Sequence, residues 1–437
     1  MSFPRYPKYK DSGVEWLGQV PEHWSVVKGC RLFSQERDPS QPQDDQLSAT
    51  QKYGVLPQKL FMEMEGQKVT LALSGLENFK HVQAGDFVIS LRSFQGGIER
   101  SAYSGCVSPA YTVLRPADSI HGLFWGYLLK STGYIEALQT MTDGIRDGKN
   151  ISYQQFGQIG VPVIPVTEQT AIAAFLDRET AKIDELVAEQ ERLLELLKEK
   201  RQAVISHAVT KGVNPKAPLK PSGIEWLGDV PAHWRTTRLK YATKMIVDCP
   251  HETPEYSVDG DFWVVRTADL EHGQLDITAM YCVDQGEYEN RIRRAALICN
   301  DIVYSREGER WGHAALISEN DRFCLGQRMM QFRSAETFCP SFLMWQLNSK
   351  TTYTQGDVDT VGATSPHVNV GTICNYDLTE PPIKEQREIS LFLDDQTRCF
   401  DTLTTEAQRA IDLLQERRTA LVSAAVTGQI DVRQTTP

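Results

Sequence analysis

The chain contains one short stretch twice, as SGVEWLGQVPEHW at residues 12–24 and again as SGIEWLGDVPAHW at residues 222–234. Only three of the thirteen positions differ, and each copy holds two tryptophans, so the stretches are an internal repeat rather than a chance match. We call them the first box and the second box. Their tryptophans are large amphipathic side chains, which suit a packed core or a partner surface.

A second pair of matching segments lies downstream of the boxes. The similar pieces are Glu168-Gln169 with Glu385-Gln386, residues 175–177 with 392–394, and residues 206–210 with 423–427. Between these repeated parts the two halves share no long identity. One frame repeated around two different inserts predicts a scaffold that presents two different recognition surfaces.

This order divides the chain into six parts. They are an N-terminal box segment (1–24), a first recognition domain (25–164), a central helical spacer (165–212), a second box segment (213–234), a second recognition domain (235–380) and a C-terminal helical spacer (381–437). The predicted fold class is α+β (mixed), with two α/β domains joined by two long antiparallel helices and an internal pseudo-twofold repeat.

Both helical spacers carry apolar side chains at steps of three and four residues, the spacing of a helix that packs on a partner helix. The candidate interface residues are Ile183, Leu186, Leu193, Leu197 and Val204 in the first spacer and Phe400, Leu403, Leu414 and Leu421 in the second. Neither run contains proline or glycine before Gly212 or Gly428, where each helix is expected to end. We expect the two helices to pack on each other and their length to act as a ruler. Unrelated surface helices and a coiled coil between two chains are the alternatives.

The two inserts show the same order of predicted elements despite their different sequences. Strand-like runs lie at residues 69–73, 87–91 and 110–114, before a helix at 122–130. In the second insert, the runs at 301–305 and 329–333 and a helix at 342–348 correspond to the last three of these elements. The inserts are therefore expected to share a fold.

After the corresponding strand, each insert has a polar loop that contains glycine. Arginine and glutamine side chains on such a loop suit the guanine and adenine edges in the major groove of DNA. The DNA-binding candidates are Arg92, Ser93, Gln95, Arg100, Arg146, Lys149 and Asn150 in the first insert, and Arg306, Arg310, Trp311, His313, His367 and Asn369 in the second. For any single residue, the alternative is a solvated surface loop without a ligand.

The composition limits the class of protein. The chain has 437 residues and a net charge of −11, which argues against a nucleic-acid binder that acts alone. Its nine cysteines include no pair with CxxC spacing, so neither a zinc site nor a disulfide framework is expected. No apolar run is long enough to cross a membrane, and the first residues hold no apolar signal core, so a cytoplasmic location is expected.

Sequence motifs of catalysis are absent. No P-loop, no GxGxxG after a strand, and no HExxH or GxSxG motif is present. His23 and His233, in the boxes, have no carboxylate or cysteine at ligand spacing, which predicts packing or interface roles. We therefore expect no catalytic residue, no bound metal and no cofactor in this chain.

The boxes, the Glu-Gln and Phe-Leu-Asp segments and the helix ending at residues 203–212 together resemble type I restriction–modification specificity subunits. The resemblance covers the whole chain in order. It implies a non-catalytic subunit whose two target-recognition domains each read one half of a bipartite, asymmetric double-stranded DNA target. It also implies that the helices set the spacer between the half-sites and dock two modification subunits, which methylate adenine with S-adenosylmethionine. Restriction subunits, which are motor-nucleases that use ATP and Mg²⁺, complete such a complex.

The resemblance carries over no base-contacting residue, because the inserts differ between members of the family. It does account for the acidic charge, since modification subunits help to enclose the DNA. Two other interpretations stand beside it. A coiled-coil adaptor that binds only protein would explain the helices but not two dissimilar inserts. An enzyme, such as a methyltransferase or nuclease, is opposed by the missing motifs.

Overall fold

The computed structural model describes residues 3–66, 76–141, 151–271, 273–308, 310–358, 360 and 367–433. The chain forms two compact units. Unit 1 comprises Met1–Gln190 and Arg409–Pro437, and unit 2 comprises Glu191–Gln408. Each unit therefore combines one box and one insert with parts of both long helices.

Unit 1 is a mixed α/β structure around one antiparallel sheet. Its strands are β1 (Tyr9–Asp11), β2 (Gln19–Pro21), β3 (Ser25–Lys28), β4 (Phe33–Glu36), β5 (Leu47–Thr50), β6 (Gly54–Pro57), β7 (Lys80–Val82), β8 (Phe87–Ile89), β9 (Glu99–Arg100), β10 (Gly105–Val107), β11 (Thr112–Pro116) and β12 (Gly160–Val163). Its short helices are α1 (Gln58–Glu65), α2 (Ser93–Gly96), α3 (Gly122–Leu128), α4 (Thr132–Thr140) and α5 (Tyr153–Gln158). The central sheet has the order β4-β11-β8-β9.

Both faces of this sheet are covered by apolar side chains. In β8, Phe87 and Ile89 belong to one core cluster and Val88 to another, as the alternation of side chains along a strand requires. The predicted strands at 87–91 and 110–114 and the predicted helix at 122–130 are confirmed. The predicted strand at 69–73 lies outside the described residues.

Helix α6 (Val166–Lys211) is the first long helix, and the division between the units falls within it, after Gln190. Unit 2 then repeats the plan of unit 1. Its strands are β13 (Leu219–Pro221), β14 (Asp229–Pro231), β15 (Arg235–Arg238), β16 (Thr243–Asp248), β17 (Phe262–Val265), β18 (Leu270–Glu271), β19 (Gln274–Leu275), β20 (Tyr281–Val283), β21 (Ile302–Ser305), β22 (Ala314–Leu316), β23 (Phe323–Leu325), β24 (Met329–Ser334) and β25 (Asp377–Glu380). Its short helices are α7 (Leu239–Ala242), α8 (Gln285–Arg291), α9 (Pro340–Leu347), α10 (Lys350–Asp357) and α11 (Val370–Cys374).

The central sheet of unit 2 has the order β16-β24-β21-β22, which matches the order in unit 1 strand for strand. Ile302 and Tyr304 of β21 face one core cluster and Val303 faces another, again as in β8. The runs predicted at 301–305 and 329–333 and the helix predicted at 342–348 are confirmed. The two inserts therefore share a fold, although unit 2 adds a second sheet in the order β20-β17-β23.

Helix α12 (Ile383–Val426) is the second long helix. Gly212 after α6 and Gly428 after α12 have φ angles of 76° and 74°, a left-handed conformation that ends a helix at little cost only when the residue is glycine. The predicted helix ends are thus confirmed. Within the described residues, no helix combines the length and the apolarity that a membrane crossing requires.

The two long helices are antiparallel within each unit. In unit 1, Arg418 Nε of α12 donates a hydrogen bond of 2.8 Å to Asp184 Oδ1 of α6. In unit 2, Arg201 Nη1 of α6 donates one of 2.6 Å to Asp401 Oδ1 of α12. Apolar side chains of both helices share the core cluster of their unit in each case. The predicted fold, two α/β domains on two long antiparallel helices, is confirmed.

The residues buried between the two long helices, which we call the seam, include only some of the predicted interface residues. Ile183, Leu197, Phe400 and Leu421 are at most 8% exposed, and Val204 and Leu414 are half-buried. In contrast, Leu186, Leu193 and Leu403 are 45%, 40% and 46% exposed. The seam steps by four residues and then three, so that residues one place later, such as Val187 and Leu194, turn inward. Since leucine occupies both registers, the sequence pattern does not choose between them.

Candidate nucleic-acid interface

Each box joins the start of one long helix to the end of the other. In unit 1, Glu168 at the start of α6 accepts hydrogen bonds from Tyr6 OH at 2.7 Å and Trp24 Nε1 at 3.1 Å, and lies 2.8 Å from His23 Nε2. The ring of Trp24 covers Gly428, where an added Cβ would lie 2.9 Å from the indole. Glycine is therefore required here both for the φ angle and for the contact.

The same arrangement recurs in unit 2 with different helix ends. Glu385, at the start of α12, accepts a hydrogen bond of 2.7 Å from Trp234 Nε1 and lies 2.7 Å from His233 Nε2. Trp234 covers Gly212, where an added Cβ would lie 3.2 Å from the ring. The boxes are thus structural joints, in which each histidine pairs with a carboxylate at the start of a long helix.

Each joint holds its insert by a pair of neighbouring strands. The insert of unit 1 begins in β3 and ends in β12, and these strands pair antiparallel with Ser25 opposite Val163. The insert of unit 2 begins in β15 and ends in β25, with Arg235 opposite Glu380. The frame therefore presents both inserts through the same pair of strands.

Three strand ends meet at one edge of the central sheet in unit 2. Asp248, at the end of β16, is opposite Met330 of β24, and Ser305, at the end of β21, is opposite Met329. In unit 1 the corresponding pairs are Glu36 with Val113 and Ile89 with Thr112. The polar loops predicted as recognition loops leave the sheet at this edge in both units, because each follows β8 or β21 directly.

A glycine with a positive φ angle closes each of these loops. Gly97 has a φ of 84° and Gly312 a φ of 87°. An added Cβ on Gly97 would lie 2.4 Å from the carbonyl oxygen of Leu129, and one on Gly312 would lie 3.0 Å from the ring of Tyr353. The loops thus have equivalent positions and equivalent ends in the two units while their side chains differ.

In unit 2, Arg306 is the centre of a charged cluster at the sheet edge. It is 8% exposed, its Nε lies 3.2 Å from Asp248 Oδ1, and its Nη2 lies 3.0 Å from Glu307 Oε1. Its Nη1 donates a longer hydrogen bond of 3.5 Å to the carbonyl of Val368. Arg306 is therefore held inside the protein in this conformation, with little surface for a base edge.

Two other candidates are brought to the same cluster. His367 forms an isolated antiparallel bridge with Glu307, and Asn369 follows at the exposed start of α11. Both segments come from a part of the chain remote in sequence from Arg306. The structure thus unites three of the predicted residues of unit 2.

The remaining candidates of unit 2 support the loop from within. Trp311 is 4% exposed and stacks on Tyr353 with ring centroids 4.1 Å apart. Arg310 Nη1 donates hydrogen bonds of 2.8 and 3.0 Å to the carbonyls of Ala268 and Leu270. His313 is half-buried, and burial lowers its pKa. In this conformation all three side chains pack against or bond to the protein itself and support the loop.

The sequence pattern did not single out four residues of the same cluster. They are Asp248, His251, Gln327 and Arg328. His251 Nε2 lies 3.1 Å from Asp248 Oδ2, and Gln327 Nε2 donates a hydrogen bond of 3.1 Å to the carbonyl of His251. The order of an antiparallel sheet would have indicated them, because the end of β16 and the start of β24 must lie beside the end of β21.

In unit 1, the predicted loop borders a groove of about 690 Å³. Arg92 and Gln95 are exposed, Arg100 is half-buried, and Ser93 is buried with its Oγ accepting a 2.9 Å hydrogen bond from the amide of Ser90. The groove is lined by polar and aromatic side chains from β5 and the loops, among them Gln51, Lys52, Tyr53, Arg92 and Tyr111. Arg146, Lys149 and Asn150 lie outside the described residues.

A buried carboxylate forms part of this groove. Glu99 is 4% exposed, and Lys130 Nζ lies 2.9 Å from its Oε1 and 3.0 Å from its Oε2. Burial raises the pKa of Glu99 from 4.5 to about 7, and the Lys130 ammonium opposes that rise. Desolvation therefore outweighs the ion pair.

This raised pKa gives a testable stability profile. Because folding raises the pKa of Glu99, its contribution is fully present below pH 4.5 and is lost as the pH rises through 7. Relative to Glu99→Gln, which cannot ionise, the wild type should lose roughly 3 kcal/mol of unfolding free energy across this range. Urea unfolding of both proteins at several pH values measures the difference. Parallel profiles would show that the Glu99 pKa is not raised.

No group of three or more His, Cys, Asp or Glu side chains suited to a metal ion is present in the part of the chain that the structure describes. The described cysteines are all free thiols.

Comparison with known proteins finds similarity to type I restriction–modification specificity subunits. A family model described as "Type I restriction modification DNA specificity domain" matches residues 255–412. The chain is 22% identical over 328 residues to the type I restriction enzyme EcoKI specificity subunit of Escherichia coli strain K12, covering 73% of this chain and 68% of that one. It is 24% identical over 337 residues to the StySPI specificity subunit of Salmonella potsdam, covering 72% and 67%.

Solved structures with the same fold cover nearly the whole chain. A chain described under "Structural basis underlying complex assembly and conformational transition of the type I R-M system" matches with a TM-score of 0.68 and 15% identity, covering 93% of this chain and 98% of that one. The HsdS subunit from Thermoanaerobacter tengcongensis matches with a TM-score of 0.51 and 16% identity, covering 94% and 98%. The sequence matches confirm the resemblance to type I specificity subunits, and the structural matches confirm the fold.

Proposed function

We propose that this chain is the DNA-recognition subunit of a type I restriction–modification complex. One observation carries the proposal: two inserts of different sequence present a polar loop at corresponding edges of two equivalent sheets, on a repeated frame. A protein that binds one ligand twice would repeat the loop residues as well. A protein that recognises an asymmetric DNA target needs two different binding surfaces, each on the same frame. Each unit therefore recognises one half of a bipartite target.

The reading residues belong to the loops at the sheet edges. In unit 1, Arg92 and Gln95 are exposed and carry the donors and acceptors that pair with guanine and adenine in the major groove. In unit 2, the charged cluster around Arg306 presents its exposed members, including Asn369. Arg306 itself serves to hold the cluster together.

The exposed leucines of the long helices support docking of partner subunits. Leu186 in unit 1 and Leu193 and Leu403 in unit 2 are 40% or more exposed. Contiguous apolar surface marks a protein interface, and Leu186 and Leu193, seven residues apart on α6, lie on the same face of that helix. We assign it to two modification subunits, which bind S-adenosylmethionine and methylate adenine. Restriction subunits with ATP and Mg²⁺ complete the complex, which acts on cytoplasmic DNA, and this chain supplies no catalytic group.

The test is the methylome of a host that expresses this chain with the modification subunit encoded beside it. A new bipartite, asymmetric methyladenine motif is the expected result, and it would reveal both half-sites at once. The same host with the modification subunit alone is the control. An assembled complex that binds S-adenosylmethionine but methylates no such motif would contradict the proposal and favour an adaptor that binds only protein.

A further inference from the structure

Arg328 has an uncommon backbone conformation for a residue other than glycine. Its φ angle is 67°, in the left-handed region that a residue with a Cβ rarely adopts and that glycine adopts freely. A glycine, Gly326, lies two residues earlier in the chain. The residue with the left-handed backbone is nevertheless an arginine. Strained positions of this kind persist where the surrounding structure fixes them, and they are enriched at functional sites.

The surroundings fix Arg328 from two sides. Its carbonyl oxygen accepts a hydrogen bond of 3.1 Å from the amide of the buried Arg306. The next residue, Met329, is buried and starts β24. The charged cluster at the sheet edge therefore sets where the Arg328 side chain leaves the backbone.

One end of the Arg328 guanidinium is oriented and the other is open. Its Nε lies 3.5 Å from Glu307 Oε2, while the other oxygen of Glu307 is 3.0 Å from Arg306 Nη2. One carboxylate therefore positions two arginines, one buried and one 52% exposed. Within the described part of the chain, the terminal nitrogens of Arg328 have no hydrogen-bond acceptor. Toward the described residues, both nitrogens are therefore available to donate in parallel.

We propose that Arg328 reads a guanine in the half-site recognised by unit 2. The two parallel donors at the end of the Arg328 guanidinium match the O6 and N7 acceptors of guanine in the major groove, and no other base presents that pair of acceptors. Glu307 is the positioning residue, because its carboxylate forms an ion pair with the guanidinium on the Nε side and leaves the terminal nitrogens for the base. This inference rests on the proposed function and adds a residue and a base to it.

Two variants separate base reading from other roles. Arg328→Gly removes the side chain and suits the positive φ angle, so it should fold at least as well as the wild type. Arg328→Lys keeps the charge but loses the pair of parallel donors. Asn300→Gly is the matched control, because Asn300 is exposed in the same unit and has a φ of 69° without belonging to the cluster.

The readout is the methylome of each variant complex. The wild-type motif should contain a guanine in the half-site of unit 2. In Arg328→Gly and Arg328→Lys, discrimination at that position should fall about 5- to 150-fold, with the other half-site and the spacer unchanged. The control should reproduce the wild-type motif. If Arg328→Gly failed to assemble, Arg328→Lys would carry the same test.

The outcomes that contradict this inference differ from those that contradict the proposed function. A wild-type complex without a bipartite motif would remove the proposed function and the inference with it. A wild-type bipartite motif that stays unchanged in both Arg328 variants would overturn the inference alone. Weaker methylation at every site in Arg328→Gly, restored by Arg328→Lys, would also overturn it, because it would identify a phosphate contact.

Discussion

Replacing Glu168 with alanine is expected to lower the unfolding free energy of unit 1 by about 3–5 kcal/mol. The carboxylate is 5% exposed and takes hydrogen bonds from Tyr6 and Trp24, with His23 at 2.8 Å. Its removal leaves two buried donors without an acceptor, and each such group costs about 1–3 kcal/mol. The joint between the start of α6 and the end of α12 would lose its centre. Urea unfolding of the full chain, read together with hydrogen exchange in unit 1, measures the loss.

The second box supplies the matched control for this variant. Glu385→Ala removes the equivalent carboxylate, but Glu385 is 36% exposed in its side chain and takes one indole hydrogen bond at 2.7 Å beside His233. In Glu385→Ala, water can replace part of the lost hydrogen bonding, so the unfolding free energy should fall by only about 1–2 kcal/mol. Equal losses in the two variants would contradict the argument from burial. Glu168→Gln, which keeps an acceptor oxygen, should recover part of the stability.

Lengthening both long helices by four residues is expected to lengthen the gap between the half-sites without changing their sequences. The sites for insertion are after Gln190 in α6 and after Gln408 in α12, at the boundaries between the units. Four helical residues add about 6 Å, and DNA rises about 3.4 Å per base pair, so the motif should gain a base pair or two. Changing both helices keeps the antiparallel seam in register, since an insertion in one helix alone would move its side chains past those of the other.

The methylome of the lengthened complex provides the measurement. The same four residues inserted between Asn214 and Pro215, in the loop after α6, should leave the motif unchanged. An active lengthened complex with the original spacer would refute the proposal that helix length sets the gap. Loss of all methylation together with loss of folding would instead indicate that the insertion disturbs the seam.

Sequence reasoning predicted the frame more fully than the site, for a physical reason. The frame depends on local patterns such as the two boxes, the period of the helices and the glycines that end them. Gly212 and Gly428 were identifiable because a helix end and a left-handed φ angle are encoded in adjacent residues. In each insert, the order along the chain of two central strands and the helix after them was also predictable, since buried strands have a local apolar signature.

The candidate site depends on contacts between distant residues, which a local pattern does not contain. Arginine is a residue type that binds DNA bases, but Arg306 is buried in an ion pair with Asp248 from another strand. Arg328 follows a glycine and a glutamine in an ordinary-looking turn, and only its φ angle and its partner Glu307 distinguish it. The helix seam shows the same limit on a smaller scale, because Leu186 and Val187 are both apolar and only packing against the second helix selects between them.

The pairing of β3 with β12, and of β15 with β25, has a consequence for inheritance. The two ends of each insert lie side by side on adjacent strands, so the frame imposes the same short gap on whatever segment is placed between them. A gene rearrangement that exchanged the coding segment between these strands would leave boxes, helices and joints intact. On the proposed function, new target sequences can then arise by exchanging one recognition domain at a time.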